Sequence, residues 1–146
     1  MKTLKIKIVF ILLTISIIGL FYVIYLYNKP FIDIENTKAK IEATAQKIIN
    51  DFQADEHLAN KIYVDNLILV KGEIANISFN NGISTITLRD SKGLTSIICQ
   101  MLPEANLNVL KLKKNDQIII KGVCTGYLLD IIMVRCILTN DNFDEK

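Results

Sequence analysis

The sequence predicts a mainly β domain with helices, carried behind an N-terminal transmembrane helix. Three observations point there. A charge-free apolar run spans Ile8 to Tyr27, a helical stripe of apolar residues follows Pro30, and from Tyr63 onward β-branched segments alternate with turn residues. With 146 residues, the chain has room for one domain and an anchor.

The apolar run comes first. Only Thr14, Ser16 and Gly19 interrupt its large aliphatic and aromatic side chains. Such a run rises roughly 30 Å as a helix, the thickness of a bilayer's hydrocarbon core. Tyr22, Tyr25 and Tyr27 cluster at its far end, where amphipathic rings favour the water interface. A cleaved secretory signal is the competing reading. It fits less well, because bulky Phe21, Tyr22, Ile24 and Leu26 occupy the place of a small-residue cleavage site. Lys2, Lys5 and Lys7 precede the run, while Lys29, Asp33 and Glu35 follow it. That bias places the N-terminus in the cytoplasm and the domain outside.

Charge narrows the set of partners. The net charge is +2, yet four of the 17 basic residues (Lys2, Lys5, Lys7 and Lys29) flank the run. The remaining 13 face all 15 acidic residues, so residues 31–146 carry −2. Phosphate backbones are held by clustered positive charge, which this balance disfavours.

After Pro30, Ile34, Ile41, Ala45, Ile48, Ile49 and Phe52 fall near the 3.6-residue spacing of one helical face. The spacing predicts an amphipathic helix over 34–53, packed on the domain that follows. Asp55 caps a short second helix carrying Leu58, Ala59 and Ile62. The lone histidine, His57, lies on that helix's polar side and has no neighbouring ligand set, which argues against a metal site.

Five strands follow. The first, over 64–79, changes parity between Ile74 and Ile77, which predicts a bulge near Gly72. Asn80-Asn81-Gly82 is a hairpin signal leading to strand two at 83–89. The turn Asp90-Ser91-Lys92-Gly93 leads to strand three at 94–101. Pro103 opens a short helix to Leu110, since proline suits a helix's first turn. Strands four (117–124) and five (129–138) complete the set, and the acidic tail 140–146 is expected to fray. A long bent first strand, and a helix between strands three and four, match a five-stranded OB-fold β-barrel. The implied parts are an anchor over 1–30, a helical segment over 31–62, a barrel over 63–139 and a tail over 140–146. The stretches Ile68-Leu69-Val70-Lys71-Gly72 and Ile118-Ile119-Ile120-Lys121-Gly122 echo each other. Each strand needing a glycine where the barrel curves accounts for the echo more simply than duplication does.

These residues resemble the tRNA-anticodon-binding-like OB-fold family over roughly 38–138. The resemblance is carried by Val70-Lys71-Gly72-Glu73-Ile74, Cys99-Gln100, Leu112-Lys113-Lys114-Asn115-Asp116, Ile120 through Tyr127, and Asp130 through Leu138. Its most specific piece is the closing Lys-Gly-x-Cys-x-Gly…Asp…Cys pattern. The resemblance implies the fold; it brings no catalytic residues and no ligand.

Chemistry is sparse. Cys124 and Cys136 lie on consecutive strands expected to pair, so a disulfide between them is one reading for an exported domain. Cys99–Cys136 is the rival pair, and buried free thiols are the third reading. No two cysteines have zinc-site spacing, and no nucleophile or phosphate-loop motif appears, so neither an enzyme nor a cofactor is expected. The binding-face loops of an OB barrel fall at Phe79, Asn80, Asn81 and Gly82, and over Thr125–Leu129, where Thr125, Gly126 and Tyr127 are the candidate residues. Strands two and three lack the aromatics that stack nucleic-acid bases. Lys71, Arg89, Lys92, Lys121 and Arg135 are the candidate basic groove, with Asp65, Glu73, Asp90 and Asp130 interspersed. The expected function is a membrane-anchored, non-enzymatic binding module of the bacterial envelope for a protein, peptide or small ligand. The alternatives are a single-stranded nucleic-acid binder and a structural subunit of a membrane complex.

Overall fold

In the computed structural model of the protein, residues 14–22, 24, 33–89, 95–140 and 143 are described. The chain forms two compact units, Met1–Ile32 and Asp33–Lys146. In the first, residues 14–22 and 24 are helical, with Ile15, Ile18, Leu20 and Phe21 exposed. Among the described residues no helix is long and apolar enough to cross a membrane. The ends of the expected span, Ile8 and Tyr27, fall outside the described residues.

The second unit is a closed barrel with an added strand. Its elements are β1 (Ile41–Thr44), α1 (Ala45–Ala54), α2 (Glu56–Tyr63), β2 (Leu67–Asn80), β3 (Ile83–Arg89) and β4 (Ser96–Met101). A 3-10 turn (Pro103–Ala105), α3 (Asn106–Val109), β5 (Gln117–Tyr127) and β6 (Ile131–Leu138) follow. The sheet order is β1-β2-β3-β4-β6-β5, and β5 returns to pair with β2. Closure therefore runs through β2, β3, β4, β6 and β5, with β4 and β6 parallel and the other barrel pairs antiparallel. This is the OB arrangement the strand order predicts.

β2 serves two partners in succession. Leu67–Glu73 pair with β5 and Ile74–Asn80 with β3, with a register shift between Ile74 and Asn76. The bulge thus sits just past Gly72, where the parity change predicts it. A Cβ on Gly72 would stand 2.9 Å from the Ala45 Cβ, so the glycine admits α1 against the strand. The two echoing segments turn out to pair with each other. Val70 faces Ile120 at the centre, with Gly72 opposite Ile118 and Ile68 opposite Gly122. Each glycine is matched by an isoleucine of the other copy.

The helix expected over 34–53 is shorter. Asp33 opens a turn, accepting backbone N–H bonds from Glu35 and Asn36 and a side-chain bond from Asn36. Those bonds hold its carboxyl below the usual range. Ile41–Thr44 then form β1, parallel to β2 at Ile68–Lys71, where β3 does not reach. The helix begins only at Ala45, because Thr44 is extended and its hydroxyl caps Lys47 N–H. Asp55 caps α2 in the same way through Leu58 N–H, as its sequence position predicts.

The core lies inside the barrel and under α1. Ile48, Ile49 and Phe52 of α1 meet Ile68, Val70, Ile74, Ile86, Leu88, Ile97, Ile120, Ile131 and Met133, all at 3 % exposure or less. Every buried apolar residue among the described residues falls between Ile34 and Cys136. Asp33–Lys146 therefore carries its own core.

Candidate binding face

The hairpin between β2 and β3 is built as its residues demand. Asn81 (φ 50°) and Gly82 (φ 80°) both take left-handed backbone, the geometry that joins two twisted strands by a two-residue turn. Phe79, Asn80, Asn81 and Gly82 are all exposed, and Phe79 keeps 53 % of its surface. From the connector, Asn106 holds the hairpin in place. Its side-chain oxygen accepts from the N–H and hydroxyl of buried Ser84, and its amide donates to the Gly82 carbonyl at 2.8 Å.

The second loop, expected over Thr125–Leu129, begins later than expected. β5 continues through Thr125, Gly126 and Tyr127, so these three belong to a strand. Thr125 donates its hydroxyl to the Ile132 carbonyl. Tyr127 turns inward, its ring 5.3 Å from that of Phe52, and is half-buried against the core. The loop proper is Leu128-Leu129-Asp130, and both leucines are almost fully exposed, at 87 % and 83 %. Asp130 anchors it, accepting the backbone N–H and hydroxyl of Ser96 at 2.8 and 2.6 Å. The sequence signalled Asp130 as an anchor and put the leucines within the loop, but it did not end β5 as late as Tyr127.

Between the loops lies the outer surface of β2, β3, β4 and β6. Alternation puts Ile86, Leu88, Ile97 and Cys99 inside, which turns Thr85, Thr87, Ile98 and Gln100 outward. Register aligns Asn76, Thr87, Ile98 and Ile132 across four strands, with Ser78, Thr85 and Gln100 in the next row. The face is hydroxyl-rich and aliphatic, without an aromatic residue. Arg89 closes one edge, and its guanidinium is engaged by Glu73 (3.0 Å) and Asn115 (2.9 Å).

Among the described residues the basic groove does not assemble. Lys121 is only 4 % exposed and donates to the carbonyls of Glu35 (3.1 Å) and Thr37 (3.4 Å), closing the turn before β1. Lys71 lies 5.7 Å from the centre of the Phe143 ring. Lys92 and Asp90 fall outside the described residues.

The three cysteines are buried free thiols. Register puts Cys124 opposite Met133, while Cys136 sits against Gly122, so the expected Cys124–Cys136 bridge is not formed. Cys99 is the thiol that hydrogen-bonds Cys136; burial, and next this contact, push Cys136 well above its ordinary pKa. Burial also pushes Cys124 up to about 11. Neither Cys124 nor Cys136 is poised as a thiolate nucleophile.

Sequence reasoning missed one further feature. Beside the edge strand β1 lies a groove of about 500 Å³, lined by Lys38, Lys40, Ile41, Lys47, Ile62 and Tyr63 among others. Tyr63 donates its hydroxyl to Asp51 at the groove wall. Burial, then that bond, raises the Tyr63 pKa. Burial alone would raise Asp51, but bonds from Lys47 and Tyr63 outweigh it and leave its carboxyl below the usual range.

A model of the tRNA_anti-like family matches residues 1–138. The chain belongs to the tRNA_anti-like family. Among solved structures, this family member is similar to a lipoprotein of Klebsiella pneumoniae subsp. pneumoniae, described as a candidate nucleic acid-binding protein. The two share 15% identity and a TM-score of 0.57, over 68% of this chain and 92% of that one. It is also similar to the Stn1-Ten1 complex of S. pombe, at 14% identity and TM-score 0.41, over 51% of this chain and 59% of that one. An OBody bound to hen egg-white lysozyme gives 13% and 0.43, over 56% and 88%. At these identities the likeness is one of fold. None of the curated proteins matches this tRNA_anti-like chain.

Proposed function

We propose that the chain is a membrane-tethered, non-catalytic OB module of the bacterial envelope whose outer face takes a protein partner. The observation that carries this reading is the character of that face. Thr85, Thr87, Ile98, Gln100 and Ile132 offer hydroxyl and aliphatic contact, and Leu128 and Leu129 stand exposed at its border. Surfaces of this kind suit a protein better than a nucleic-acid strand, which needs free cations and stacking rings. The apolar run Ile8–Tyr27 supports the tether, and the lysines before it support an exported domain. Nucleic-acid binding is the second reading, favoured by the family and by the description of the Klebsiella lipoprotein.

A photo-crosslinker at Thr87 is expected to trap a discrete protein adduct in cells. Leu128→Asp with Leu129→Asp should cut the adduct at least about tenfold without lowering thermal stability, as loss of a contact hot spot does. The purified chain should leave labelled single-stranded oligonucleotides unshifted at low salt. A salt-sensitive shift, with no adduct, would replace the protein reading by the nucleic-acid one.

Topology has its own test. A reporter enzyme active only outside the cytoplasm is expected to work when fused after Lys146. Activity from a cytoplasmic reporter at that position would reverse the orientation.

A further inference from the structure

We propose that the connector between β4 and β5 is a second membrane contact, a small docking surface for anionic lipid that lays this end of the barrel on the bilayer. The inference rests on the tethered reading above.

The connector has two faces. Ala105 and Val109 are buried against the barrel, while Leu107 and Leu110, three residues apart on the other face, are 74 % and 64 % exposed. Asn106 locks α3 to the hairpin through Gly82 and Ser84. Ser84 is the register partner of Phe79, so exposed Phe79 stands beside the same helix. Leu107 and Leu110 thus share one exposed face of the connector, with exposed Phe79 on the hairpin that Asn106 holds.

Lysines follow directly. Lys111, Lys113 and Lys114 are exposed, and none of their side chains has an ion pair or hydrogen bond among the described residues. The acidic neighbours are exposed Glu104 and half-buried Asp116, and the Asp116 carboxylate is already engaged by the Lys113 N–H at 2.7 Å. Apolar residues bordered by free lysines match the two layers of an anionic membrane surface, acyl chain below and phosphate above. The exposed leucines of the other loop, Leu128 and Leu129, are followed by Asp130 and have no lysine near them in sequence.

Lys121 holds the turn after Asp33 to the middle of β5 through Glu35 and Thr37. Gln117, where the connector enters β5, lies only about 13 Å further along the strand. Leu129 lies beyond the opposite end of β5, about 30 Å of strand away from Gln117.

The test uses the full chain in vesicles of phosphatidylglycerol or of phosphatidylcholine, with an environment-sensitive dye on Leu110→Cys or, separately, Leu129→Cys. The native thiols are buried, so labelling falls on the introduced one. In phosphatidylglycerol the Leu110 label is expected to shift to the blue and be quenched by lipid-borne quenchers. The Leu129 label should not respond. Replacing Lys111, Lys113 and Lys114 with Gln should abolish the Leu110 response. A chain that floats with the vesicles while the Leu110 label stays silent overturns the docking surface and leaves the tether standing; a response at Leu129 instead also overturns it. A chain that does not float with either vesicle overturns both.

Discussion

Replacing Phe52 with alanine is expected to destabilise the Asp33–Lys146 domain by about 3–5 kcal/mol, a large share of the roughly 5–15 kcal/mol that holds a domain together. Phe52 is 2 % exposed and is the outermost buried residue of α1. Its ring lies 5.8 Å from Tyr63 and 5.3 Å from Tyr127, so one side chain joins α1, α2 and the end of β5. The cavity left by truncation would be bordered by two rings fixed in other elements, Tyr63 by its bond to Asp51. Collapse is therefore limited, which places the cost toward the upper part of the range. Phe52→Leu keeps most of the apolar area and should lose much less. Urea unfolding followed by tyrosine fluorescence measures both. A cost under about 1 kcal/mol for the alanine variant would mean that α1 does not seal the barrel.

That helix also shows where the sequence was hard to read. Ile34, Ile41, Ala45, Ile48, Ile49 and Phe52 lie on one helical period, yet the first belongs to a turn and the second to β1. A four-residue strand is too short for its period of two to compete with a stripe that runs on in phase into a true helix. The signal that could have separated them was Thr44, a β-branched residue with an N-cap side chain. The barrel strands were legible because each is bounded by chemistry: Asn81-Gly82 at one hairpin, Pro103 after β4, Asp130 before β6.

The binding face was legible in part. Its lack of aromatics follows from composition, and the first loop from Asn-Gly. The fate of the lysines did not follow, because nothing local in Lys-Gly distinguishes Lys71, which stays exposed, from Lys121, which is buried under a turn 84 residues away in sequence. The pairing of the cysteines stayed open for a related reason. The two register shifts between β5 and β6 cancel, and the hairpin's own register sets Cys124 opposite Met133, a register that an unbroken run of aliphatic residues does not specify.

One of those shifts lies at Gly122, where the second large effect is expected. A Cβ added there would meet the Cys136 Sγ at 2.6 Å, the Val134 carbonyl oxygen at 3.2 Å and the Cys136 Cα at 3.3 Å. Two of these three neighbours are backbone, which cannot step aside without moving β6. Gly122→Ala should therefore cost about 1–3 kcal/mol, the range for overpacking a core. Gly82→Ala meets nothing within 4 Å, and its cost comes only from a φ of +80°, about 1 kcal/mol. The cause at Gly122 can be isolated by removing the sulfur. Cys136→Ala alone leaves a small cavity, yet combined with Gly122→Ala it makes room for the new methyl. The double variant should be more stable than the sum of the two losses predicts, by about 0.5–2 kcal/mol, with the carbonyl contact preventing full rescue. Strictly additive losses would show that Cys136 does not fill the space Gly122 vacates. The second Lys-Gly would then answer only to barrel curvature, and the packing of its glycine against a thiol would not be what fixes this β5–β6 register.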